Sequence, residues 1–156
     1  MEKVLVSACL LGEPVRYNGG ASTSDDPLLA RWVKEGRVVG FCPEVAGGLG
    51  TPRPRAERQG LRVITDGGRD VTSAFATGAG LALDVVREHR IRIAILKDGS
   101  PSCGSSYVYD GTFAGQRVAG RGLTAETLVR DGVRVFSETQ LGEADAYLAK
   151  LESTTS

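Results

Sequence analysis

Three cysteines, Cys9, Cys42 and Cys103, stand far apart in this sequence of 156 residues. Each follows a short apolar run with the composition of a buried β-strand. Because the carboxyl ends of parallel strands share one edge of a sheet, where ligands bind, we expect the three thiols to converge there. Thiolates are soft ligands, so such a site would suit a soft metal centre.

Several other roles are open to these cysteines on the residues alone. Free cysteine is among the most buried residue types, so each could be an ordinary small core residue. Zinc is a further candidate, although structural zinc sites usually have four ligands and closely spaced cysteine pairs, which this chain lacks. A redox-active thiol usually has a resolving cysteine close by, and the absence of a CxxC pair weighs against that role. An iron–sulfur cluster with three cysteine ligands would leave one iron open for catalysis.

Polar side chains beside two of the cysteines could move protons. Glu44 lies two residues after Cys42 and would share the same edge of the sheet, where it could act as a proton relay. Ser100 and Ser102 place two hydroxyls next to Cys103 in the segment KDGSPSCG. This segment has the glycine spacing of a phosphate-binding P-loop but lacks its lysine, which excludes a nucleoside-triphosphate site.

The remaining charged residues that stand out are predicted to be structural. Arg53, Arg55 and Glu57 form a short charged stretch of the kind that usually faces solvent. His89 is the only histidine, and it is predicted at the end of a long helix, where a cation stabilises the helix terminus.

Four short runs rich in β-branched residues predict the strands that would position these groups, at 4–8, 37–41, 92–96 and 133–136. Helical patterns lie between and after them, at 26–35, 73–89, 124–130 and 140–151. Gly36 is predicted to end the first of these helices. Thr124 is predicted to cap the third, which Gly132 is predicted to end. The apolar positions of the long helix are Phe75, Leu81, Leu83, Val85 and Val86.

Strands that alternate with helices predict a single α/β domain with a mainly parallel, Rossmann-like sheet flanked by helices. Two short hairpins are also predicted. One pairs 61–65 with 70–72 across Asp66-Gly67-Gly68, and the other begins at 107–109, before Asp110-Gly111. We assign residues 1–152 to the domain and residues 153–156 to a flexible tail.

Charge and hydropathy argue against several classes of protein. Lys plus Arg and Asp plus Glu both number 19, so the net charge is zero and duplex nucleic acid is not an expected partner. No stretch approaches the ~20 apolar residues of a membrane span, and the N-terminus lacks the features of a signal peptide. We therefore expect a cytoplasmic protein without a membrane partner. The sequence leaves the oligomeric state open.

Five segments together resemble the bacterial thiouracil desulfurase family. They are VSACLLGEPVRYNG, FCPEVAGGLGTPRPRAE, GRDVTSAF, AILKDGSPSCGSSYVYDGTFAG and GLTAETLVRDGVRVFSE. The elements SACLLG, CPE and SPSCG occur in the family's order, and the resemblance runs from about residue 3 to residue 138. Asn18 is one departure, since many members have aspartate there.

This resemblance implies a 4Fe–4S cluster held by Cys9, Cys42 and Cys103, with the fourth iron open. It also implies a non-redox desulfuration of a small thiolated compound, in which 2-thiouracil becomes uracil and hydrosulfide is released. The family's catalytic acid corresponds to Glu44. Its serine corresponds to Ser100 or Ser102, of which Ser100 is favoured. A metal-binding or iron–sulfur sensor module without catalysis is the alternative function.

Overall fold

A four-stranded parallel sheet lies at the centre of the protein, whose computed structural model describes residues 1–155. The eight strands are β1 (Val4–Ser7), β2 (Val38–Phe41), β3 (Ala56–Gln59), β4 (Arg62–Thr65), β5 (Ile93–Leu96), β6 (Tyr107–Tyr109), β7 (Arg117–Ala119) and β8 (Arg134–Ser137). The central sheet has the order β2-β1-β5-β8, with Val4 opposite both Val38 and Ile93. All four predicted core strands are confirmed, with each end within one residue.

Within residues 1–155, five helices pack around the strands. They are α1 (Pro27–Lys34), α2 (Pro43–Ala46), α3 (Thr72–His89), α4 (Leu123–Arg130) and α5 (Leu141–Thr155), and one 3₁₀ turn (Ala8–Leu11) follows β1. The single α/β domain expected from the alternation of strands and helices is confirmed. In the described part of the chain, no helix is both long and apolar enough to cross a lipid bilayer.

Alternate side chains of the central strands point into two separate cores. The core under α1 and α5 contains Val4, Val6, Trp32, Ile93, Ile95 and Leu148. The core under α3 and α4 contains Leu5, Ala82, Val86, Ala94, Leu96 and Leu128. Because β1 and β5 are covered on both faces, every position of these two strands is buried.

Helix α1 begins and ends where its sequence predicts. Asp26 caps the first turn, since its carboxylate accepts a hydrogen bond of 2.9 Å from the Leu28 amide, and Pro27 occupies the first helical position. Gly36 follows the last turn with a φ of 74°, a conformation that glycine adopts without strain. The Trp32 indole then joins α1 to α5 through a hydrogen bond of 3.2 Å to Asp145.

Two predictions about helices are wrong. Gly122, not Thr124, is the capping residue of α4, and Thr124 lies inside the helix with its side chain fully buried. In α3, Leu81 is 38% exposed, and small residues form much of the buried face instead. These are Gly78, Ala79 and Ala82, beside Phe75 and Val86.

The predicted hairpin that begins at Tyr107–Tyr109 is confirmed, whereas the other differs from the prediction in its pairing. Strand β4 pairs with β3, which precedes it, and the predicted partner at 70–72 contributes a single bridge between Ile64 and Asp70. Strand β6 pairs with β7 beyond the Asp110-Gly111 turn. At the C-terminus, α5 continues to Thr155, so three residues of the predicted tail are helical, and Ser156 lies outside the described residues.

Helices α2 and α3 approach closely at two glycines. A Cβ atom on Gly78 would lie 2.0 Å from the carbonyl oxygen of Pro43, and one on Gly47 would lie 2.1 Å from the carbonyl oxygen of Ala74. Neither position has room for a side chain. This contact sets the position of α2, which directly follows Cys42.

We predict that Gly78→Ala destabilises the protein, whereas Gly80→Ala in the same helix does not. The first change forces the two helices apart, at a cost of about 1–3 kcal/mol for an overpacked site. In Gly80→Ala the added methyl group has no atom within 4 Å, so this change should stabilise the helix by up to about 1 kcal/mol. Urea unfolding of both variants measures the difference. Equal free energies of unfolding for the two variants would show that α2 and α3 can move apart without loss of stability.

Candidate functional site

A cavity of about 400 Å³, here called the cysteine cavity, opens at the carboxyl edge of the central sheet. The loop after β1 leads to α1 on one face, whereas the loop after the neighbouring β5 leads to α4 on the other. Open α/β sheets bind ligands where adjacent loops diverge in this way. The β3–β4 and β6–β7 hairpins contribute further walls, with residues Ala56, Glu57, Thr65, Tyr107 and Tyr109.

All three cysteines line this cavity. Cys9 lies in the 3₁₀ turn after β1, Cys42 directly follows β2, and Cys103 lies in the loop that leaves β5. All are free thiols, with Cys103 buried and the other two half-buried. The expected convergence at the sheet edge therefore brings three thiols, 33 and 61 residues apart in sequence, to one cavity.

Burial raises the pKa of each thiol. The pKa of Cys9 rises to about 11, chiefly through burial and then through neighbouring Cys42, against the opposing charge of Lys97. Burial also raises the pKa of Cys42, and that of Cys103 despite its hydrogen bond with Ser7. The thiols are therefore neutral at pH 7 until a metal takes up the thiolate charge.

The arrangement of these donors fits a cluster of several metal atoms. Within residues 1–155, no group of three His, Cys, Asp or Glu side chains is placed to hold one metal ion. In an iron–sulfur cluster each thiolate binds a different iron, so the sulfurs need not meet at a single atom. Three thiols around one cavity are the donors that such a cluster requires.

Glu44 occupies the first turn of α2 and lines the same cavity. Its side chain is 14% exposed and forms an ion pair with Arg53, in which Arg53 Nε donates to Glu44 Oε2 over 2.9 Å. The second carboxylate oxygen, Oε1, lies 3.4 Å from Ser100 Oγ. The structure thus places the predicted acid beside the favoured serine.

The hydrogen bonds of Ser100 indicate where its proton points. Its Oγ accepts hydrogen bonds from the amides of Ser102 and Cys103, over 3.1 and 3.0 Å. A hydroxyl has two acceptor positions and one donor, so the remaining hydrogen is free to donate to Glu44 Oε1. The distance is long for this bond type, as it often is before substrate binds.

Ser102 lies apart from the other predicted site residues. It is fully buried outside the cavity lining, and its hydroxyl bonds to Thr124 Oγ1 over 2.8 Å. The structure therefore brings five of the six predicted site residues to the cavity and leaves Ser102 in the contact between this loop and α4.

Asp98 organises the loop that carries Ser100 and Cys103. Its Oδ1 accepts hydrogen bonds of 3.1–3.2 Å from four backbone amides, those of Gly99, Ser105, Ser106 and Tyr107. Burial would raise the pKa of Asp98, but its hydrogen bonds, led by the Ser106 hydroxyl, outweigh this and hold the pKa below its usual value. The Asp98 carboxylate thus accepts the amide hydrogen bonds that a neighbouring strand would accept in a regular sheet.

The same loop also docks on the start of α4. The amides of Leu123 and Thr124 donate to the carbonyls of Pro101 and Ser102 over 3.0 and 2.9 Å. A Cβ atom on Gly122 would lie 2.4 Å from the Ser102 carbonyl oxygen, so only glycine permits this approach. The first amides of the helix, which have no partner within it, thereby fix the segment that contains Cys103.

Sequence reasoning missed the structural importance of three charged residues. Arg53 and Glu57, predicted to face solvent, have side chains only 8% and 5% exposed, whereas Arg55 between them is 44% exposed as expected. Glu57 accepts hydrogen bonds from the amides of Gly111 and Phe113 and so holds the β6–β7 loop. For Asp98, the Asp-Gly pair beside a serine-rich loop was the available signal.

His89 lies at the end of the long helix, as predicted, and does not line the cavity. It is the exposed last residue of α3, and the chain then enters β5 at the amino edge of the sheet. The only histidine of the chain is thus at the opposite edge from the cysteines.

Comparison with known proteins gives three findings. A family model described as 2-thiouracil desulfurase matches residues 4–140. An uncharacterized protein, YbbK of Bacillus subtilis (strain 168), is 39% identical over 150 residues, which cover 90% of this chain and 98% of that protein.

The solved structure of a 4Fe–4S-dependent thiouracil desulfidase, TudS, is also similar to this chain. The two are 53% identical and superpose with a TM-score of 0.94, over 96% of this chain and 99% of the other. The expected α/β fold and the resemblance stated from the sequence motifs are both confirmed.

We predict that Asp98→Asn lowers the free energy of unfolding at neutral pH by about 1.5–3 kcal/mol, the scale of a hydrogen bond to a charged group. Because folding lowers the pKa of Asp98, its stabilisation is present above the unfolded value near 3.9 and is lost as pH falls through the folded value. The variant should therefore lose less stability than the wild type between about pH 5 and pH 2.

Urea unfolding across this pH range measures both effects. Asp66→Asn, at an exposed turn position, is the control and should follow the wild-type curve. Parallel curves for Asp98→Asn and the wild type would contradict the assigned role of the Asp98 charge.

Proposed function

This chain belongs to the 2-thiouracil desulfurase family, and we propose that it removes sulfur from a small thiolated compound with a 4Fe–4S cluster as cofactor. The observation that carries the proposal is that the family match spans residues 4–140 and that three cysteines from that region line one cavity. The substrate class is a thiocarbonyl on a small heteroaromatic ring, of which 2-thiouracil is the type.

Cys9, Cys42 and Cys103 would hold the cluster. When bound, it supplies an iron without a protein ligand, which acts as a Lewis acid toward the thiocarbonyl sulfur. The overall reaction converts a thiocarbonyl and water into a carbonyl and hydrogen sulfide, so it needs no external oxidant or reductant. The location of His89 at the other edge of the sheet supports the absence of a fourth ligand from that residue.

Glu44 and Ser100 move the protons of this hydrolysis. Glu44 Oε1 faces the Ser100 hydroxyl, and both residues line the cavity that receives the ring. As water adds to the thiocarbonyl carbon, Glu44 accepts a proton from it, directly or through Ser100. The protonated Glu44 then passes this proton through the Ser100 hydroxyl to the departing sulfur, so that both side chains return to their starting protonation states. Ser102 has no part in these steps because it lies behind the cavity wall.

Two aromatic rings form part of the cavity wall. Tyr107 and Tyr109 stand edge to face, with ring centres 6.1 Å apart, and line the side formed by β6. Such aromatic surfaces suit a flat ring better than an extended chain.

A cytoplasmic location, and the absence of membrane or duplex nucleic-acid partners, belong to the same proposal.

The proposal is tested by anaerobic purification followed by an activity assay. We expect a brown protein with about four irons and four sulfides, the content of one 4Fe–4S cluster, that releases one sulfide per uracil formed from 2-thiouracil. Cys42→Ala should lose most of the iron. A cluster-loaded protein that turns over no thiolated pyrimidine would favour the sensor alternative, and a wild-type protein that takes up no iron would overturn both.

Substitutions of Ser100 and Ser102 should differ in their effect on turnover. Ser100→Ala should keep the cluster while kcat falls by about 10²-fold or more, the usual scale for lost proton transfer. Ser102→Ala should keep kcat within about threefold and cost about 1–3 kcal/mol of stability, because it leaves buried Thr124 without its partner. Steady-state kinetics on cluster-normalised protein, with thermal unfolding, distinguish the two. A larger loss of kcat in Ser102→Ala would reverse the assignment.

A further inference from the structure

The Arg53 guanidinium is satisfied entirely by the protein. Its side chain is 8% exposed, and each of its five N–H groups has an acceptor. Nε donates to Glu44 Oε2 over 2.9 Å, and Nη2 donates to the same oxygen and to the Val15 carbonyl over 2.9 Å. Nη1 donates to the Gly50 carbonyl and to Thr51 Oγ1, both over 3.2 Å. No N–H group remains for a substrate, so Arg53 does not bind one.

These contacts fix one oxygen of Glu44 and leave the other in place for chemistry. Both Arg53 donors bind Oε2, whereas Oε1 faces Ser100. A free glutamate side chain has several rotamers and loses conformational entropy when it is held in one. The ion pair with Arg53 offsets this cost before substrate arrives, which is the general requirement for a preorganised catalytic group.

The same guanidinium joins three segments around the cysteine cavity. Val15 belongs to the loop that follows Cys9, Glu44 to α2 after Cys42, and Thr51 to the loop before β3. The Arg53 amide adds a bond of 2.7 Å to the Tyr17 carbonyl. A planar guanidinium with five N–H groups can make all five of these hydrogen bonds, and the ammonium of a lysine, with three, cannot.

We propose that Arg53 is a positioning residue for the desulfuration: it holds Glu44 so that Oε1 faces Ser100, and it touches neither substrate nor cluster. This inference rests on the proposed function. It assigns to Arg53 an effect on the rate of the chemical step and none on substrate binding or cluster retention.

Arg53→Lys in the anaerobic, cluster-loaded enzyme tests the inference. We expect iron content and KM for 2-thiouracil to stay within about twofold of the wild type, while kcat falls by about 10–100-fold, the signature of an interaction needed only for the chemical step. Arg53→Gln serves where the lysine variant does not fold. A normal kcat in a folded variant, or a loss confined to KM, would overturn the proposal.

A double-mutant cycle separates positioning from general destabilisation. If Arg53 acts through Glu44, then Arg53→Lys should lower kcat by less than about threefold in a Glu44→Gln background. Equal losses in the two backgrounds would mean that Arg53 acts independently of Glu44.

Arg37→Lys is the matched control. Arg37 is also largely buried, with its side chain 12% exposed, and it binds Glu35, Glu152 and the Glu2 carbonyl at the amino edge of the sheet. Its variant should lose thermal stability to a similar extent and keep kcat. A fall in kcat comparable to that of Arg53→Lys would show that stability alone explains both.

Crystal structures separate this inference from the proposed function. In Arg53→Lys, Glu44 Oε1 should leave Ser100, and unchanged positions of both side chains would overturn the positioning role. A wild-type enzyme that carries its cluster but desulfurises no thiolated pyrimidine would refute the proposed function, while the position of Glu44 would still decide whether Arg53 holds it.

Discussion

The divergence of the loops that leave β1 and β5 is the constraint on which the site depends. These strands are neighbours in the sheet, but the chain after β1 turns toward α1 and the chain after β5 turns toward α4 on the opposite face. The crevice between them cannot be filled by either helix layer. Two cysteines lie in these diverging loops, and the third follows β2 on the other side of β1. A parallel sheet with this strand order therefore creates the cavity before any functional residue is considered.

Around this cavity, buried carboxylates accept the backbone hydrogen bonds that helices and strands satisfy elsewhere. Asp98 accepts the amides of the loop after β5, and Glu57 accepts those of the β6–β7 loop. Irregular backbone near a buried site would otherwise leave polar groups unpaired, at a cost of about 1–3 kcal/mol each. The loops that carry chemistry are thus fixed by charge-assisted hydrogen bonds, and this lets Ser100 and Cys103 keep defined positions without belonging to a helix or strand.

Charge balance links the protein framework to its cofactor. Burial and mutual proximity disfavour thiolates at Cys9, Cys42 and Cys103, whereas Lys97 and Arg53 place positive charge on the same cavity. A cluster supplies the remaining positive charge and displaces the thiol protons. Lys97 is itself paired with Glu138 over 2.8 Å, so its ammonium group has a defined place beside the cavity. The site is therefore built for a bound metal centre rather than for free thiol chemistry.

The sequence by itself determined the four core strands, their parallel arrangement, the start and end of α1 and the residues that carry the family motifs. These features follow from local patterns: apolar runs, a helical pattern at 26–35 that ends before Gly36, and Cys9, Cys42 and Cys103 after strands. Only the tertiary structure decided which serine faces the cavity, that Arg53 and Glu57 are buried, and that small residues rather than Leu81 face the core from α3. Each of these depends on a partner distant in sequence: Glu44 for Ser100, Val15 for Arg53, and Pro43 for Gly78. The spacing of apolar residues along the chain predicts which face of a helix or strand is buried. It does not show how much space the surface packed against that face leaves for each side chain.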